Sequence, residues 1–389
     1  TYFAPLATVQ KAVDKINVQN DGSSSYTVFV DGTVTADAIY GNYSANNSSF
    51  VNISPSAKLN LTIKSLSSEK AVVDAGRDGK EADTTGWRVF YIGSNADIVF
   101  ENITVKGGSL NEAGGGIYCG GNLTLKNCVV EKNKSNNAGG GICFSGKELA
   151  LENTSVSYNK SSSSGGGINA DGKVTISDSE ILNNSAADNG GGIYFGDGEK
   201  TISGTTVNKN SAVYGGGIYV TNGSSSRVTV KIGKENSSTD DVLIEKNCAA
   251  ERGGAFYCAD NTDIIMYSGS ISENYSNGSG SRNGGGAIFI WGGSSTYSTF
   301  TMSGGEMSGN MAKNGGAGGA VHIDHGDGVK KSAFIMTGGL LSGNKAADEK
   351  GNGSKLGGAI YVNYGGQIKL GGSAVIAVED DGNDIWLAN

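Results

Sequence analysis

The chain has 389 residues with 64 glycines, only 2 prolines, 37% hydrophobic and 17% charged residues. That is thin material for one thick globular core, but it suits a stack of coils that each bury one narrow apolar strip. A formal charge of −8 without any Lys/Arg-rich run disfavours nucleic acid and anionic membrane surfaces as partners. No apolar stretch reaches the roughly 18 residues of a membrane-spanning helix, so no membrane insertion by this segment is expected. No signal segment opens the sequence, which reads as a mature or trimmed chain.

In chain order, residues 8–18 place Val9, Ala12, Val13 and Ile16 at i, i+3, i+4 and i+7. That is one face of a short amphipathic helix with Thr8 as its N-cap, suited to cover the open edge of a first coil. Strands are predicted at 27–30, 59–63, 71–73, 89–92 and 98–105, the last with Phe100 and Val105 inward. Residues 1–97 thus read as a cap with first coils, and 98–389 as a repeat domain.

Within that domain a glycine pair recurs nine times, its second member at Gly115, Gly140, Gly166, Gly191, Gly216, Gly254, Gly286, Gly319 and Gly358. The first steps are 25 or 26 residues, the later ones 32 to 39, and such a period marks a repeat architecture. Each pair leads into an inward apolar site, such as Ile117, Ile142 or Ile218, with a second two residues later. A glycine pair of this kind marks a tight bend that needs positive φ or close backbone approach.

A second landmark is an asparagine: Asn133, Asn159, Asn184, Asn210, Asn247, Asn274, Asn310 and Asn344, with Gly108 in the equivalent place one coil earlier. An apolar residue stands three positions before each Asn and Ser or Ala two positions after. The coil around Asn247 departs from the pattern, and its strand is placed at Val228–Ile232. The asparagine reads as an internal ladder, because an inward amide satisfies backbone groups at a bend and can bond its equivalents in adjacent coils. Three ladder positions, Asn133, Asn159 and Asn274, also form N-x-[ST] sequons, which a buried amide cannot use. Short period-two strands separated by bends describe an all-β parallel solenoid rather than helical repeats. Residues 367–370 and 374–378 read as a final coil, and 384–389 as too short for a capping helix, so more protein is expected to follow. Insertions gather after about residue 220, at 222–226, 275–283, 291–298, 324–332 and 345–356.

Between the inward sites of the glycine strand runs an outward column: Tyr118, Cys143, Asn169, Tyr194, Tyr219, Tyr257, Phe289, His322 and Tyr361. It reads either as aromatic stacking between neighbouring strands or as a row of contacts for a glycan or protein partner. Tyr118, Tyr194, Tyr219, Tyr257, Phe289, His322 and Tyr361 are accordingly the candidate binding residues. His322 and His325, with Asp324 and Asp327, invite a metal or acid–base proposal, but the column and a turn at Asp327–Gly328 account for them. Asp240–Asp241 and Asp380–Asp381 could bind calcium weakly, but solvated loop charge is the preferred reading. No metal, cofactor or catalytic residue is assigned. Cys119, Cys128, Cys143, Cys248 and Cys258 show no CxxC or metal-ligand spacing and read as small hydrophobes.

Gly-Gly-Ala-Ile at 285–288 and 357–360, together with apolar-x-x-Asn, resembles the GGAI and FxxN repeats of chlamydial polymorphic outer membrane proteins. The resemblance spans about residues 98–378. It departs where Gly replaces Ala, where Val, Ile, Met or Leu replaces Phe, and in the lack of a C-terminal barrel. It implies a right-handed parallel β-helix, bacterial surface display, and adhesion to a host, cell-surface or glycan partner without catalysis. A polysaccharide lyase or glycoside hydrolase is the alternative, because a fold does not fix a function.

Overall fold

The structure, a computed structural model, describes residues 8–36, 49–77, 86–222, 226–235, 242–293, 295–325, 331–347, 356–377 and 384–388. The chain forms two compact units, Thr1–Val174 and Thr175–Asn389, the boundary falling within the strand Lys173–Ser177.

One coil of the first unit shows how the residues dictate the path. The glycine strand Ile117–Cys119 is followed by a long strand Asn122–Lys126, a middle strand Val129–Glu131 and a ladder strand Lys134–Ser135. Each pairs in parallel with its equivalent in the next coil, Ile117 opposite Ile142, Leu125 opposite Leu151, Val130 opposite Val156 and Ser135 opposite Ser161. Alternation sends Ile117, Cys119, Leu123, Leu125 and Val130 inward, and all are buried. The apolar strip is therefore continuous from coil to coil at constant register.

The glycine pair divides its work between its members. The first glycine of all nine pairs adopts positive φ, between 61° and 75°. At the second, crowding is decisive: a Cβ on Gly115 would lie 2.5 Å from the Gly140 carbonyl oxygen of the next coil and 2.6 Å from that of Lys134. Positive φ and close approach are thus both required, at adjacent positions.

A further left-handed position precedes the ladder. Lys132, Tyr158, Asn183, Lys209, Lys246 and Glu273 all have φ between 54° and 56°, and glycine takes the place at Gly107, Gly309 and Gly343. This residue turns the chain so that the following Asn points inward. Sequence reasoning missed it because non-glycine side chains hide the turn. Likewise the segment predicted as one strand at 98–105 is two, Ala96–Glu101 and Ile103–Lys106, broken at Asn102 with φ 58°.

The N-terminal helix is confirmed at Val9–Gln19 (α1), with Thr8 Oγ1 accepting from the Lys11 N–H at 3.1 Å. Val9, Val13 and Ile16 are buried, and α1 packs on the strands Ser49–Ile53 and Ser25–Val30. The Gln10 side chain behaves like a strand neighbour: Asn52 N–H donates to Oε1 at 2.6 Å, and Nε2 donates to the Asn52 carbonyl at 3.2 Å. The helix thereby satisfies backbone groups at an otherwise open edge.

In the second unit the same four sheets recur, and the displaced strand Val228–Ile232 lies where the sequence put it. The strand Ile385–Leu387 extends the glycine sheet beside Ile360–Val362, a pairing not read from the sequence. Lys200 is the exception in this core. It occupies an inward position in register with Val230, is fully buried, and donates to the Asp197 carbonyl with its ammonium 5.5 Å from the Phe195 ring centroid.

Candidate binding surface

The asparagines form the expected ladder in each unit. In the first, Asn133 Nδ2 donates to Asn159 Oδ1 at 3.0 Å and to the Val105 carbonyl at 3.2 Å, while its Oδ1 accepts from Gly108 N–H at 3.0 Å. Gly108 is thus the ladder position of its coil. In the second unit Asn184, Asn210, Asn247, Asn274, Asn310 and Asn344 continue the pattern, each Oδ1 from Asn210 onward accepting from the preceding Asn. All eight are buried, which removes the three sequons from consideration. The ladder amides are thus committed to holding the coils together.

On the outer face of the glycine sheet, the aromatic column stacks as read but is not uniformly open. In the second unit ring centroids follow one another at 5.4 Å (Tyr194–Tyr219), 5.0 Å (Tyr219–Tyr257), 5.2 Å (Tyr257–Phe289), 4.6 Å (Phe289–His322) and 5.0 Å (His322–Tyr361). Phe289 and His322 are fully buried, and Tyr257 and Tyr361 are 7% and 5% exposed. The expectation that these four present an outward contact row is therefore corrected.

The cause is a strap formed where the ladder strands run on toward the glycine bends. Strands Ser211–Tyr214 and Cys248–Arg252 pair with a register shift between Ala212 and Tyr214, and short parallel bridges continue from Arg252 to Gly284 and from Gly284 to Ala317. Tyr214 meets Tyr257 edge-on at 5.5 Å, and its hydroxyl donates to Glu251 at 2.9 Å. Arg252 lies over the Tyr214 and Phe289 rings and donates from Nε to Asn283 Oδ1 at 2.8 Å. Tyr257, Ala259 and Phe289 form a small second core under this cover, with Tyr214, Tyr219 and Trp291 against it. Burial pushes the Tyr257 phenol up to about 12 and raises that of Tyr219. It also holds the His322 imidazole down, at about 3, with Nδ1 3.3 Å from the Ala317 carbonyl oxygen.

The half-buried aromatic members of the column are Tyr118 in the first unit and Tyr194 and Tyr219 in the second. Tyr91, one coil before Tyr118, belongs with them and was missed because its coil precedes the first glycine pair. The Tyr91 and Tyr118 rings stack at 5.2 Å and 8°, and the buried Arg88 guanidinium stands 5.6 Å from each while pairing with Glu112 at 2.7 Å.

Among the described residues no three His, Cys, Asp or Glu side chains converge as metal ligands. Asp324 accepts from Asn363 Nδ2 at 3.3 Å. The side chain of His325, Asp327–Gly328, Asp240–Asp241 and Asp380–Asp381 lie outside the described residues. All five cysteines are free. Burial raises the Cys119 thiol to about 12 and those of Cys128 and Cys143 to about 11, so these are inert apolar groups, Cys143 included despite its place in the outward column. Cys248 is half-exposed.

Comparison with known proteins agrees with this architecture. Residues 85–232 match the family model described as a right handed beta helix region. The fold is a right-handed parallel β-helix. No curated protein and no solved structure matches the chain. One polar cluster is a brace: Arg227 donates from Nε to Asp263 at 2.6 Å, from Nη1 to the Tyr297 carbonyl and from Nη2 to the Thr262 carbonyl at 2.9 Å each, with its guanidinium against the Tyr297 ring. Asp263 also accepts from the Thr299 hydroxyl, which fixes the carboxylate further.

Proposed function

We propose that the protein is a non-catalytic binding protein of the adhesin or structural type, displayed on a bacterial surface and contacting a protein or glycan on a facing surface. The observation that carries this reading is the pairing of half-buried rings on the outer glycine sheet, Tyr91 with Tyr118 under Arg88 and Tyr194 with Tyr219. Each ring is held by its neighbour before any partner arrives, so covering it forfeits little rotamer freedom. Tyrosine suits such a face because it offers apolar area and a polar tip together. The repeated chemistry, the same group at the same height in successive coils, fits an extended partner better than a small substrate. A lyase or hydrolase would need freely disposed acids and bases, whereas Arg227 and Asp263 spend their bonds on each other and on the backbone.

Binding of the labelled protein to cell surfaces and arrayed glycans tests the proposal, using Tyr118→Ser and the double variant Tyr194→Ser/Tyr219→Ser. Retention should fall while the β-sheet circular dichroism stays unchanged. Undiminished retention of both variants would remove these rings from the interface.

A further inference from the structure

On the outer glycine sheet of the second unit, a further column runs two residues beyond the aromatic one, because residues two apart on a strand share a face. The parallel register sets Trp291 directly opposite Asp324. Extended by one residue, it brings Ala259 into the coil before and Asn363 into the coil after, with coils about 4.8 Å apart. The repeat does not call for an indole here, since the two coils before Ala259 hold Gly196 and Thr221 at the same position.

Trp291 packs against the second core of Tyr257, Ala259 and Phe289 yet stays half-buried. Its indole N–H has no hydrogen-bond partner among the described residues, whereas that of Trp87 donates to the Ala75 carbonyl at 3.1 Å. A packed indole N–H ordinarily finds such a partner. The backbone around the ring is fixed in advance. Gly293 N–H donates to Thr296 Oγ1 at 2.9 Å, and the Thr296 hydroxyl donates to Asp260, which ties the turn after Trp291 to the preceding coil. Asp324 is fixed as well, because the Asn363 amide, only 6% exposed, donates to its Oδ1 at 3.3 Å. Next to Asn363, Tyr364 is 58% exposed. The Tyr361 phenol is raised first by burial and further by Asp324 and Tyr364, which places these side chains together.

We propose that Trp291, Asp324 and Tyr364 form a subsite for a pyranose unit of a neutral polysaccharide, with Asn363 as the positioning residue behind Asp324. A pyranose offers a C–H face to an aromatic ring and hydroxyls at its edge. The carboxylate of Asp324 accepts from those hydroxyls, and the indole N–H donates to one of them. Asp260 and Asp324 stand in the coils on either side of Trp291, while the Lys331 ammonium lies against the Gly365 backbone. Two flanking carboxylates favour hydroxyls over the acid groups of an anionic chain. The site lies apart from the Tyr118 and Tyr194–Tyr219 faces but rests on the same binding reading.

The test follows tryptophan emission of the intact chain during titration with cellohexaose, xylohexaose, mannohexaose and hexagalacturonate, with affinities from calorimetry. Wild type should give a saturable emission change with at least one neutral hexasaccharide and none with hexagalacturonate. Trp291→Phe should remove most of that change, whereas Trp386→Phe should keep it. Asp324→Asn should weaken binding about tenfold. Trp291→Phe keeps a ring on the second core and Asp324→Asn keeps its shape, so both melting temperatures should stay near wild type. Thermal melts of the variants therefore separate lost recognition from lost folding. No response to any neutral hexasaccharide, tighter binding of hexagalacturonate, a response that survives Trp291→Phe, or undiminished affinity in Asp324→Asn overturns the proposal. If wild type still binds cells after such a result, only this site fails and the binding reading stands. If the hexasaccharides are bound and also shortened, the site stands and the non-catalytic reading fails.

Discussion

The guanidinium of Arg252 stands 5.1 Å from the centroid of the Phe289 ring and closes the strap over the aromatic column. That contact separates a packed half of the column from a half-open one, and the two should respond differently to truncation. Tyr257→Ser removes a ring from the second core and is expected to cost about 3 kcal/mol. Tyr194→Ser, at the half-open end, should cost about 1 kcal/mol. Arg252→Ala should fall between them, through lost cation–π contact and lost cover. Urea denaturation of the three variants checks the order.

His322 makes stability depend on pH. Its folded pKa, about 3, lies below its ordinary value of 6.5 because burial disfavours the imidazolium. The unfolded chain therefore takes up a proton that the folded chain refuses as pH falls from 6.5 toward 3. The stability from neutral His322 is complete above that window and is lost on acidification, at no more than ~1.4 kcal/mol per pH unit. His322→Phe keeps a ring between Phe289 and Tyr361 and should show a shallower fall than wild type between pH 6 and pH 4. Parallel stability curves would show that the imidazole contributes nothing to the acid response.

The ladder predicts a steep cost at Asn210. Its Nδ2 donates to the Ile181 carbonyl at 2.8 Å and to Asn247 at 3.0 Å, and its Oδ1 accepts from the Asn184 N–H and Nδ2. Asn210→Leu leaves several buried groups unpaired and should cost on the order of 3 kcal/mol or more. Asn208, two residues earlier on the outer face, is half-buried and donates to Glu245 at 2.7 Å. Its replacement by Leu should cost about 1 kcal/mol. Thermal melts of the pair test the difference.

Lys200 predicts the opposite sign. An ammonium buried where Val230 stands in the next coil carries a desolvation cost, set against its bond to the Asp197 carbonyl and its place beside the Phe195 ring. Lys200→Met keeps the length and removes the charge, and should leave stability unchanged or raise it by about 1–2 kcal/mol. A clear loss of stability would mean that the ammonium is a structural tie.

The repeat was legible because its constraints act on residue type: only glycine fits the bend beside the Gly140 carbonyl, and only an inward amide makes the bonds of Asn133. The displaced strand Val228–Ile232 could be placed because alternation survives an insertion. Two features could not be read. The left-handed corner before six of the eight ladder Asn residues is held by Lys, Tyr, Asn or Glu, whose identities do not announce positive φ. The strap depends on a register shift between Ala212 and Tyr214 and on bridges through Gly284, long-range pairings that leave no periodic trace. Outward alternation was therefore right for Phe289 and His322, while the inference of exposure was not.

Binding without catalysis is the central claim, and one measurement meets it directly. The protein is incubated with acidic and neutral polysaccharides, and both its retention and the appearance of new reducing or unsaturated chain ends are followed over time. The account predicts retention on a glycan or cell-surface partner with no accumulation of chain ends. Chain ends that accumulate in proportion to protein concentration would contradict it and make this β-helix an enzyme.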